Sequence, residues 1–396
     1  MQCVDLSYLF SQIFFYLCAA MLFEQIIGQN TAKAGFFSFI DADRLPHALL
    51  INGKQGTGGL SFALAIAQYL LCENKLAQDA CGQCAACTKV QKLAHPDLHF
   101  SFPTIAPKPG SKASSKHYMG EFRSGILENP YMSTYDWLQY INAENKQGNI
   151  TAEECREIVD QLQLKAFEGG YKIQIIWRPE YLGKEGNILL KLIEEPPAKT
   201  MLILISEEVE DILNTILSRT QVIQLSPLSV QDITDGLQRF YQVDAAKAGQ
   251  IALIADGDFS QALQLREHTG NNNLSLMKDW FNGIFTNNGV LMHEWVENVA
   301  KLGREQQKNL LIYAQQMLAF AMRSALIEGY QVPLMEEESS FVKKLGSRNY
   351  SLDVYQNLDE ALTKACYHIE RNAHGKTQLL YTTIQLQYIF QGRNLY

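Results

Sequence analysis

The sequence predicts an α/β core with a parallel, three-layered sheet, followed by a C-terminal region made only of helices. Three observations lead to this fold class. A buried strand at residues 47–52 runs directly into a glycine-rich loop and a helix. Strand-like and helix-like segments then alternate with short connections up to Pro227, and only helical periodicity follows. Alternation of this kind is typical of parallel sheets that carry helices on both faces.

The glycine loop, from Gly53 to Leu60, has the spacing of a phosphate-binding loop but lacks its catalytic side chains. A nucleotide-hydrolysing loop reads G-x-x-x-x-G-K-[ST], in which the Lys reaches the outer phosphates and the hydroxyl holds Mg²⁺. Here Gly59 stands at the Lys position and Leu60 at the hydroxyl position. The loop and the helix N-terminus still favour an anion, so weak binding of ADP or ATP stays open, although we expect Lys54 to face solvent. The degenerate nucleotide-binding residues are predicted to be Gly53, Gly56, Gly58 and Gly59.

The elements after the loop can be placed in chain order. Helical spacing covers residues 60–71, the Pro-, Ser- and Lys-rich segment 101–118 reads as an exposed loop, and Trp137 indicates partial order within the longer segment 104–148. Thr151 can cap a helix that continues to about residue 167. Strands are expected at residues 171–177, 201–205 and 222–225, with a helix at residues 188–193.

After Pro227 the periodicity is helical throughout. Helices at residues 230–240, 245–255 and 260–267 precede longer amphipathic ones from about residue 273. One apolar stripe consists of Leu311, Ala314, Leu318, Met322 and Ala325, and a second, in the last helix, of Leu380, Ile384 and Tyr388. We expect both stripes to lie mainly in the core of a helical bundle, with some positions at an interface.

Composition and charge place the chain among ordinary globular proteins. It has 396 residues, of which 47% are hydrophobic and 19% charged, enough for about two to four domains. The formal net charge of −8 gives no overall electrostatic basis for binding nucleic acid. Any contact with DNA would therefore be local or made through partners.

Residues 1–20 differ from the rest of the chain. Their apolar run at residues 13–20 is too short to span a bilayer, and no Lys or Arg precedes Lys33, whereas a signal peptide begins with positive charge. We expect an over-extended start, with translation from Met21; a short extra amphipathic helix is the alternative. Neither makes the protein secreted or membrane-bound, which predicts a cytoplasmic location.

Four of the eight cysteines are clustered with the spacing C-x8-C-x2-C-x2-C. The last three lie around Gly82 and can converge on one ion, and the first can complete a tetrahedral, closed site. An iron–sulfur cluster prefers a Cys where Gln91 stands, and disulfides are unusual in a cytosolic chain. We predict a structural Zn²⁺ site, with an iron–sulfur cluster, disulfides or free thiols as alternatives. Its ligands would be Cys72, Cys81, Cys84 and Cys87.

Taken together, the motifs resemble the delta-prime subunits of the bacterial DNA polymerase III clamp loader, which are AAA+ proteins. The motifs are the degenerate loop, the cysteine insertion, His95-Pro96-Asp97, Asn187 to Pro197 with its Glu-Glu-Pro-Pro end, and Ser218-Arg219-Thr220. The resemblance covers roughly residue 22 to the C-terminus. It implies an AAA+ core at residues 21–226 with the zinc module at 72–87, a helical lid at 227–270 and a helical collar at 271–396.

The resemblance implies a subunit that does not hydrolyse ATP. In hydrolysing relatives the strand after the loop ends in two acidic residues, where this chain has Trp177 and Arg178, and Glu180 is a poor substitute. The lid arginine of a G-x-x-R segment is replaced by Ser260. Together with the loop Lys and hydroxyl, four contributors to hydrolysis are missing.

The resemblance also implies a role for Arg219. In clamp loaders the Arg of a Ser-Arg-Cys motif projects into the ATP site of the neighbouring subunit as an arginine finger; here Thr220 replaces the Cys. Arg219 would act catalytically in trans, and an ordinary surface arginine is the alternative. The implied partners are the gamma/tau and delta subunits, the sliding clamp indirectly, and primed DNA within the assembly during replication.

Two other functions are weighed against this one. The first is an active ATPase with an unconventional loop, which hydrolysis by the isolated chain would reveal. The second is a zinc-dependent DNA-binding or repair factor on the same scaffold, which would bind DNA with a salt-sensitive affinity.

Overall fold

The computed structural model describes residues 21–108, 110–143, 146, 148–267, 273–332, 334, 336–370 and 373–393. Both interpretations of residues 1–20 fall outside the described residues. The chain divides into two compact units, of which the first ends at Leu263 and the second begins at Gln264. The predicted bounds of the lid at 227–270 and of the collar at 271–396 stay predictions.

A five-stranded parallel sheet forms the centre of the first unit, in the order β2-β3-β4-β1-β5. Because β1 pairs with both β4 and β5, the glycine loop leaves from the interior of the sheet, with Ser206 and Gln224 beside Asn52. Because all five strands are parallel, their carboxyl ends lie at the same edge of the sheet. The strands are β1 (Ala48–Asn52), β2 (Leu98–Ser101), β3 (Lys172–Trp177), β4 (Thr200–Ser206) and β5 (Gln221–Gln224).

Helices cover both faces of this sheet. Leu49 and Ile51 belong to one core cluster, whereas Ala48 and Leu50 belong to a second cluster on the opposite face. Burial on both faces explains why the central strands read as continuous apolar runs. The predicted parallel, three-layered α/β core is therefore confirmed. The helices up to residue 267 are α1 (Asn30–Asp41), α2 (Gly59–Leu71), α3 (Ala85–Gln91), α4 (Met119–Glu128), α5 (Thr134–Tyr140), α6 (Ala152–Gln163), α7 (Leu190–Glu194), α8 (Asn214–Leu217), α9 (Val230–Tyr241), α10 (Ala245–Ala255) and α11 (Phe259–Glu267), with 3₁₀ turns at Phe23–Gln25, Ser115–Tyr118, Pro179–Leu189 and Val209–Asp211.

The segment predicted as an exposed loop at residues 101–118 is largely ordered, so that prediction is wrong for its ends. Phe102 is fully buried and stacks on Phe122, with 3.8 Å between ring centroids. The hydroxyl of buried Ser115 both accepts from the N–H of Phe102 (2.9 Å) and donates to its carbonyl (3.1 Å). Trp137, the residue that indicated partial order, is buried and donates from Nε1 to the carbonyl of Pro103 (2.8 Å). Aromatic packing thus compensates for a sequence rich in loop-forming residues.

The second unit consists of helices in its described residues. Leu311, Ala314 and Leu318 are buried in it, as predicted for the first stripe. None of the helices within the described residues is both long and apolar enough to cross a membrane. The helices are α12 (Asn273–Phe285), α13 (Gly289–Ala300), α14 (Arg304–Leu326), α15 (Glu336–Gly346), α16 (Leu352–Glu370) and α17 (Gly375–Phe390).

The last helix, α17, is oriented opposite to the prediction. Its apolar stripe of Leu380, Ile384 and Tyr388 is exposed, together with Tyr381. Its inward face carries Leu379 and Leu386 together with polar side chains. The polar side chains find hydrogen-bond partners there, since Thr383 accepts from Trp280 Nε1 (2.8 Å) and donates to the carbonyl of Leu379 (2.7 Å). The expectation that this stripe forms the bundle core is wrong. The buried polar residues are Gln378, Thr382, Thr383 and Gln387.

Two substitutions at neighbouring positions test this orientation. Thr383→Val removes the acceptor of a buried indole N–H, so we expect it to lower the free energy of unfolding of the second unit by about 1–3 kcal/mol. Ile384→Gln changes an exposed position and should stay within about 0.5 kcal/mol of wild type. Urea unfolding followed by tryptophan fluorescence measures both. If Ile384→Gln lowered the free energy of unfolding more than Thr383→Val, the stripe would be part of the core after all.

Candidate functional site

The glycine loop joins β1 to α2, and its neighbours leave little space for side chains. The N–H of Gly53 donates to the carbonyl of Ser206 (3.1 Å), and Thr57 Oγ1 donates to the carbonyl of Lys54 (2.6 Å). A Cβ atom on Gly59, at the position of the catalytic Lys, would lie 2.8 Å from Cγ2 of Ile205. Restoring that lysine would therefore require Ile205 to move. Gly53 and Gly58 are confined similarly, by Leu225 and Tyr131.

A carboxylate of the same chain lies directly against the loop. Gly56 has a positive φ of 73°, and a Cβ atom there would come within 1.8 Å of Asp258 Oδ1. The contact is fixed on both sides, since the N–H of Phe259 donates to the carbonyl of Gly56 (3.1 Å) and Gln55 Nε2 donates to Asp258 Oδ2 (3.2 Å). Asp258 Oδ1 also accepts from the N–H of Gln261 (3.0 Å) at the start of α11. Negative charge thus stands beside the loop whose sequence spacing is that of a phosphate-binding loop.

At the end of β3, where the family resemblance led us to look for acidic residues, a buried arginine forms ion pairs. Arg178 contacts the carboxylate of Glu207, and its Nε lies 3.6 Å from Glu180 Oε2. Glu180 Oε1 in turn accepts from the hydroxyl of Ser206 (2.8 Å) and from the N–H groups of Glu207 (2.8 Å) and Glu208 (2.9 Å). Burial raises the pKa of Glu207 to about 7, although the charge of Arg178 opposes this shift. The carboxylates here bind an internal cation and backbone donors.

Sequence reasoning identified the missing acids but not this network. It treated Glu180 as a weak substitute and gave no role to Glu207. One pattern in the sequence indicates this network: Arg178 and Glu207 each follow a buried strand directly. These two strands, β3 and β4, pair with each other. Ser260, at the lid arginine position, is fully buried and donates to Asp136 Oδ2 (3.4 Å).

The four clustered cysteines converge as the spacing predicted. Their Sγ atoms all lie within 4.8 Å of one another, and Sγ of Cys81 and Cys87 are 3.9 Å apart. Zinc–sulfur bonds of about 2.3 Å in a tetrahedron require sulfurs about 3.8 Å apart, so the donor set fits Zn²⁺. Backbone N–H groups of Cys81, Cys84 and Cys87 point at the preceding sulfurs of the set, at 3.3–3.4 Å. Within the described residues the cysteines are free of disulfides.

The surroundings of the cysteine cluster prepare it for a cation. The N–H of Gln83 lowers the pKa of Cys81 to about 6, which favours the thiolate. Burial raises the pKa of Cys72 and Cys87 and so disfavours their thiolates, which a bound cation would have to stabilise. Gln91, which stands where an iron–sulfur ligand would be, donates from Nε2 to the carbonyl of Gly82 (2.8 Å) and supports the turn.

The cluster is tied to the first described residues of the chain. The carboxylate of Asp79 accepts from the N–H groups of Phe23 and Glu24, both at 3.0 Å. Leu22 packs against the cysteines, and Met21 is buried. Residues 21–25 and the cysteine cluster therefore hold each other in place.

Arg219 lies on the surface, in the turn between α8 and β5. Its Nε donates to Glu194 Oε1 (2.5 Å), and its Nη1 donates to the carbonyl of Thr215 (2.9 Å) and to Ser218 Oγ (3.1 Å). The side chain of Arg219 is 37% exposed and that of Glu194 46% exposed. The structure therefore joins the Glu-Glu-Pro-Pro segment to the Ser-Arg-Thr segment. The bonds of Arg219 involve neither the cysteines nor the glycine loop.

The His95-Pro96-Asp97 motif shapes an exposed loop. The Asp97 carboxylate accepts from the N–H groups of Phe167 (2.6 Å) and Glu168 (2.9 Å), and His95 Nε2 lies 3.1 Å from Glu168 Oε2. These contacts turn the chain after α6, which ends at Gln163, so the predicted continuation to residue 167 is wrong. They leave Phe167 82% exposed.

Comparison with known proteins identifies relatives. A family model described as "DNA polymerase III, delta subunit" matches residues 28–229, about half of the chain. The DNA polymerase III subunit gamma of Buchnera aphidicola subsp. Acyrthosiphon pisum is 24% identical over 387 residues, which is 92% of both chains. The DNA polymerase III subunit delta' of Bacillus subtilis is 28% identical over 202 residues, 51% of this chain and 48% of its own length. The chain thus spans about half of that relative. Among solved structures, Thermotoga maritima RuvB aligns with a TM-score of 0.39 at 12% identity over 78% of this chain and 80% of that one.

The carboxylate against Gly56 makes a prediction for nucleotide binding. Asp258→Asn keeps a side chain that can cap α11 and accept from Gln55, but it removes the negative charge. We expect this variant to bind fluorescently labelled ADP on the order of 10-fold more tightly than wild type, because a like-charge repulsion is lost. Asp256→Asn, an exposed change two positions away, is the matched control. Equal affinity of wild type and Asp258→Asn would show that the carboxylate does not govern access to the loop.

Proposed function

The chain belongs to the DNA polymerase III delta-subunit family of clamp-loader proteins, and from this premise we propose that it is a non-hydrolysing, delta-prime-type subunit that supplies Arg219 to the ATP site of a neighbour. The observation that carries the proposal is an exposed, oriented arginine in a chain whose own phosphate loop has no catalytic cation. The subunit would help to load a sliding clamp onto primed DNA during replication.

Three features at the loop support the absence of hydrolysis in cis. Gly59 and Leu60 provide neither the ammonium nor the hydroxyl that hold phosphates and Mg²⁺. Arg178 occupies the end of β3 and forms ion pairs with Glu207 and Glu180, so both carboxylates are already engaged by an internal cation. Asp258 adds negative charge where phosphate would lie. The degenerate site would bind nucleotide weakly or not at all.

The position of Arg219 supports action in trans. A guanidinium carries a permanent charge and a planar set of donors that match phosphate oxygens. In phosphoryl transfer, an arginine supplied from outside the site stabilises the charge that develops in the transition state, worth about 10³ to 10⁵ in rate. Arg219 is exposed, as such a residue must be, and it is held by several hydrogen bonds.

We further propose that Cys72, Cys81, Cys84 and Cys87 hold a structural Zn²⁺. The support is the convergence of four sulfurs and the backbone N–H groups aimed at them. A set of four thiolates leaves no open position for water, so the ion would stabilise the fold and take no part in chemistry. It would also fix residues 21–25 through Asp79.

The partners proposed are gamma/tau and delta subunits, with the clamp contacted indirectly and DNA held within the assembly in the cytoplasm. The second unit would be the collar that joins the subunits, and the exposed stripe on α17 supplies apolar surface for that contact. The bounds proposed for core, lid and collar are those implied by the family resemblance.

A second candidate is a gamma-type subunit with ATPase activity of its own. The observation that favours it is the match to a gamma subunit over 92% of the chain, whereas the delta' match covers 51%. The missing lysine and carboxylates count against it. Hydrolysis of ATP by the purified chain alone would favour this candidate.

Reconstitution tests the role of Arg219. We would assemble the chain with gamma/tau and delta subunits, clamp and primed DNA of its own organism and measure the DNA-stimulated ATPase rate. Wild type should raise the rate only in the complex, and Arg219→Ala should remove most of that gain, on the order of 10³-fold at the site it serves. Arg156→Ala, an exposed arginine on α6, is the control. If Arg219→Ala assembles normally and leaves the rate unchanged, the finger assignment is wrong.

Metal analysis tests the zinc proposal. The purified chain should contain about one zinc per molecule, and Cys84→Ser should lose most of it because three ligands hold the ion less tightly. Cys366→Ser, outside the cluster, should keep it. Removal of the metal by a chelator should increase amide hydrogen exchange in residues 72–91 and, through Asp79, in residues 23–25. Iron in place of zinc, or no metal at all, would contradict the assignment.

A further inference from the structure

We propose that Glu194 is the positioning residue for Arg219: it orients the guanidinium before a neighbouring subunit arrives. The inference rests on the proposed function of Arg219 and adds a role for the Glu-Glu-Pro-Pro segment, which otherwise has none. Glu194 would touch neither nucleotide nor phosphate. It would act only through Arg219.

The contact between the two side chains fixes the direction of the guanidinium. Glu194 Oε1 accepts from Nε of Arg219, while the carbonyl of Thr215 and Ser218 Oγ accept from Nη1. Within the described part of the chain, these bonds use Nε and Nη1, and they leave Nη2 for a phosphate oxygen. Bonds from both Nε and Nη1 fix the plane of the guanidinium, and they thereby set the direction in which the remaining donors of Nη2 point.

Both partners of the pair are attached to the same rigid core. Ile193, next to Glu194, and Ile216, in the helix before Arg219, are buried in one apolar cluster. Glu194 is the last residue of α7, and Pro196 and Pro197 prevent that helix from continuing. The position of the carboxylate is therefore set by the core and by the end of the helix.

A second bond joins the same two segments. Thr215 Oγ1 donates to Asn187 Oδ1 (3.2 Å), and Asn187 Nδ2 donates to the carbonyl of Lys184 (3.0 Å). The residue whose carbonyl holds Arg219 is thus itself held by the segment that contains Glu194. Two contacts between segments that are distant in sequence make the orientation of Arg219 a property of the folded subunit.

Orientation before assembly has a consequence for rate. A charged side chain that must first be immobilised loses part of its effect on the transition state, whereas a positioned one does not. Loss of Glu194 should therefore lower the maximal rate at the site that Arg219 completes. Assembly and the affinity for ATP should change little, because Arg219 itself remains present.

The test is a double-mutant cycle in the complete assembly. The DNA-stimulated ATPase is measured against ATP concentration for wild type, Glu194→Gln, Arg219→Ala and the double variant. We expect Glu194→Gln to lower kcat by about 3- to 10-fold at nearly constant KM, in keeping with the modest strength of an exposed ion pair. In the Arg219→Ala background the same change should have no further effect. Glu194→Asp should restore part of the rate.

The neighbouring carboxylate provides the control. Glu195 is also exposed and follows Glu194 directly, so Glu195→Gln makes the same chemical change without touching Arg219. It should leave kcat unchanged. An equal loss with Glu195→Gln, or a loss with Glu194→Gln that persists in the Arg219→Ala background, would assign the effect to general structure and overturn the inference. An unchanged or increased rate for Glu194→Gln would overturn it as well. If Arg219→Ala itself has no effect, the proposed function fails first.

Discussion

The partly buried ion pair between Arg178 and Glu207 is the interaction on which the carboxyl edge of the sheet depends. Burying charge is costly unless every group has a partner, and removal of one partner leaves the other unpaired. Here Glu180 links Arg178 to the hydroxyl of Ser206 and to the backbone after β4, so the ends of β3 and β4 are held together by the same network. The pairing of Arg178 with Glu207 and Glu180, and the contact of Asp258 with Gly56, are the features that support the proposed lack of hydrolysis.

Much of the fold could be predicted because its signals are local. The strand, glycine loop and helix at residues 47–71 follow from composition and periodicity, and the ends of β3, β4 and β5 were predicted within a residue or two. The order of strands and the partners of charged residues could not be predicted, since they arise from contacts between distant segments. Phe102 is the clearest example: it stands in a segment rich in Pro, Ser and Lys, yet Phe122 and Trp137 bury it. The prediction for the last helix was wrong for a related reason: periodicity identifies an apolar face, but it does not show whether another element covers that face.

In the candidate site, too, features with a local sequence signal could be predicted, whereas contacts between distant segments could not. The cysteine spacing predicted convergence correctly, since four thiols so close in sequence have few ways to be arranged. Sequence reasoning predicted a role for Arg219, which stays a prediction, but it did not predict the ion pair with Glu194, because 25 residues separate the two along the chain. The His95-Pro96-Asp97 motif, used only to recognise a family, forms the turn that exposes Phe167. Several motifs in this chain thus mark contacts between segments that are distant in sequence.

The exposed apolar stripe on helix α17 affects the tendency of the protein to associate with other chains. The exposed side of this helix is an apolar strip formed by Leu380, Tyr381, Ile384 and Tyr388. Exposed apolar strips favour association with other proteins, including non-specific association. Covering the strip by a specific partner stabilises the chain by mass action, to a degree that depends on partner concentration. If the strip is the contact surface proposed above, a copy made in excess of its partners would be prone to self-association, and synthesis matched to theirs would limit this.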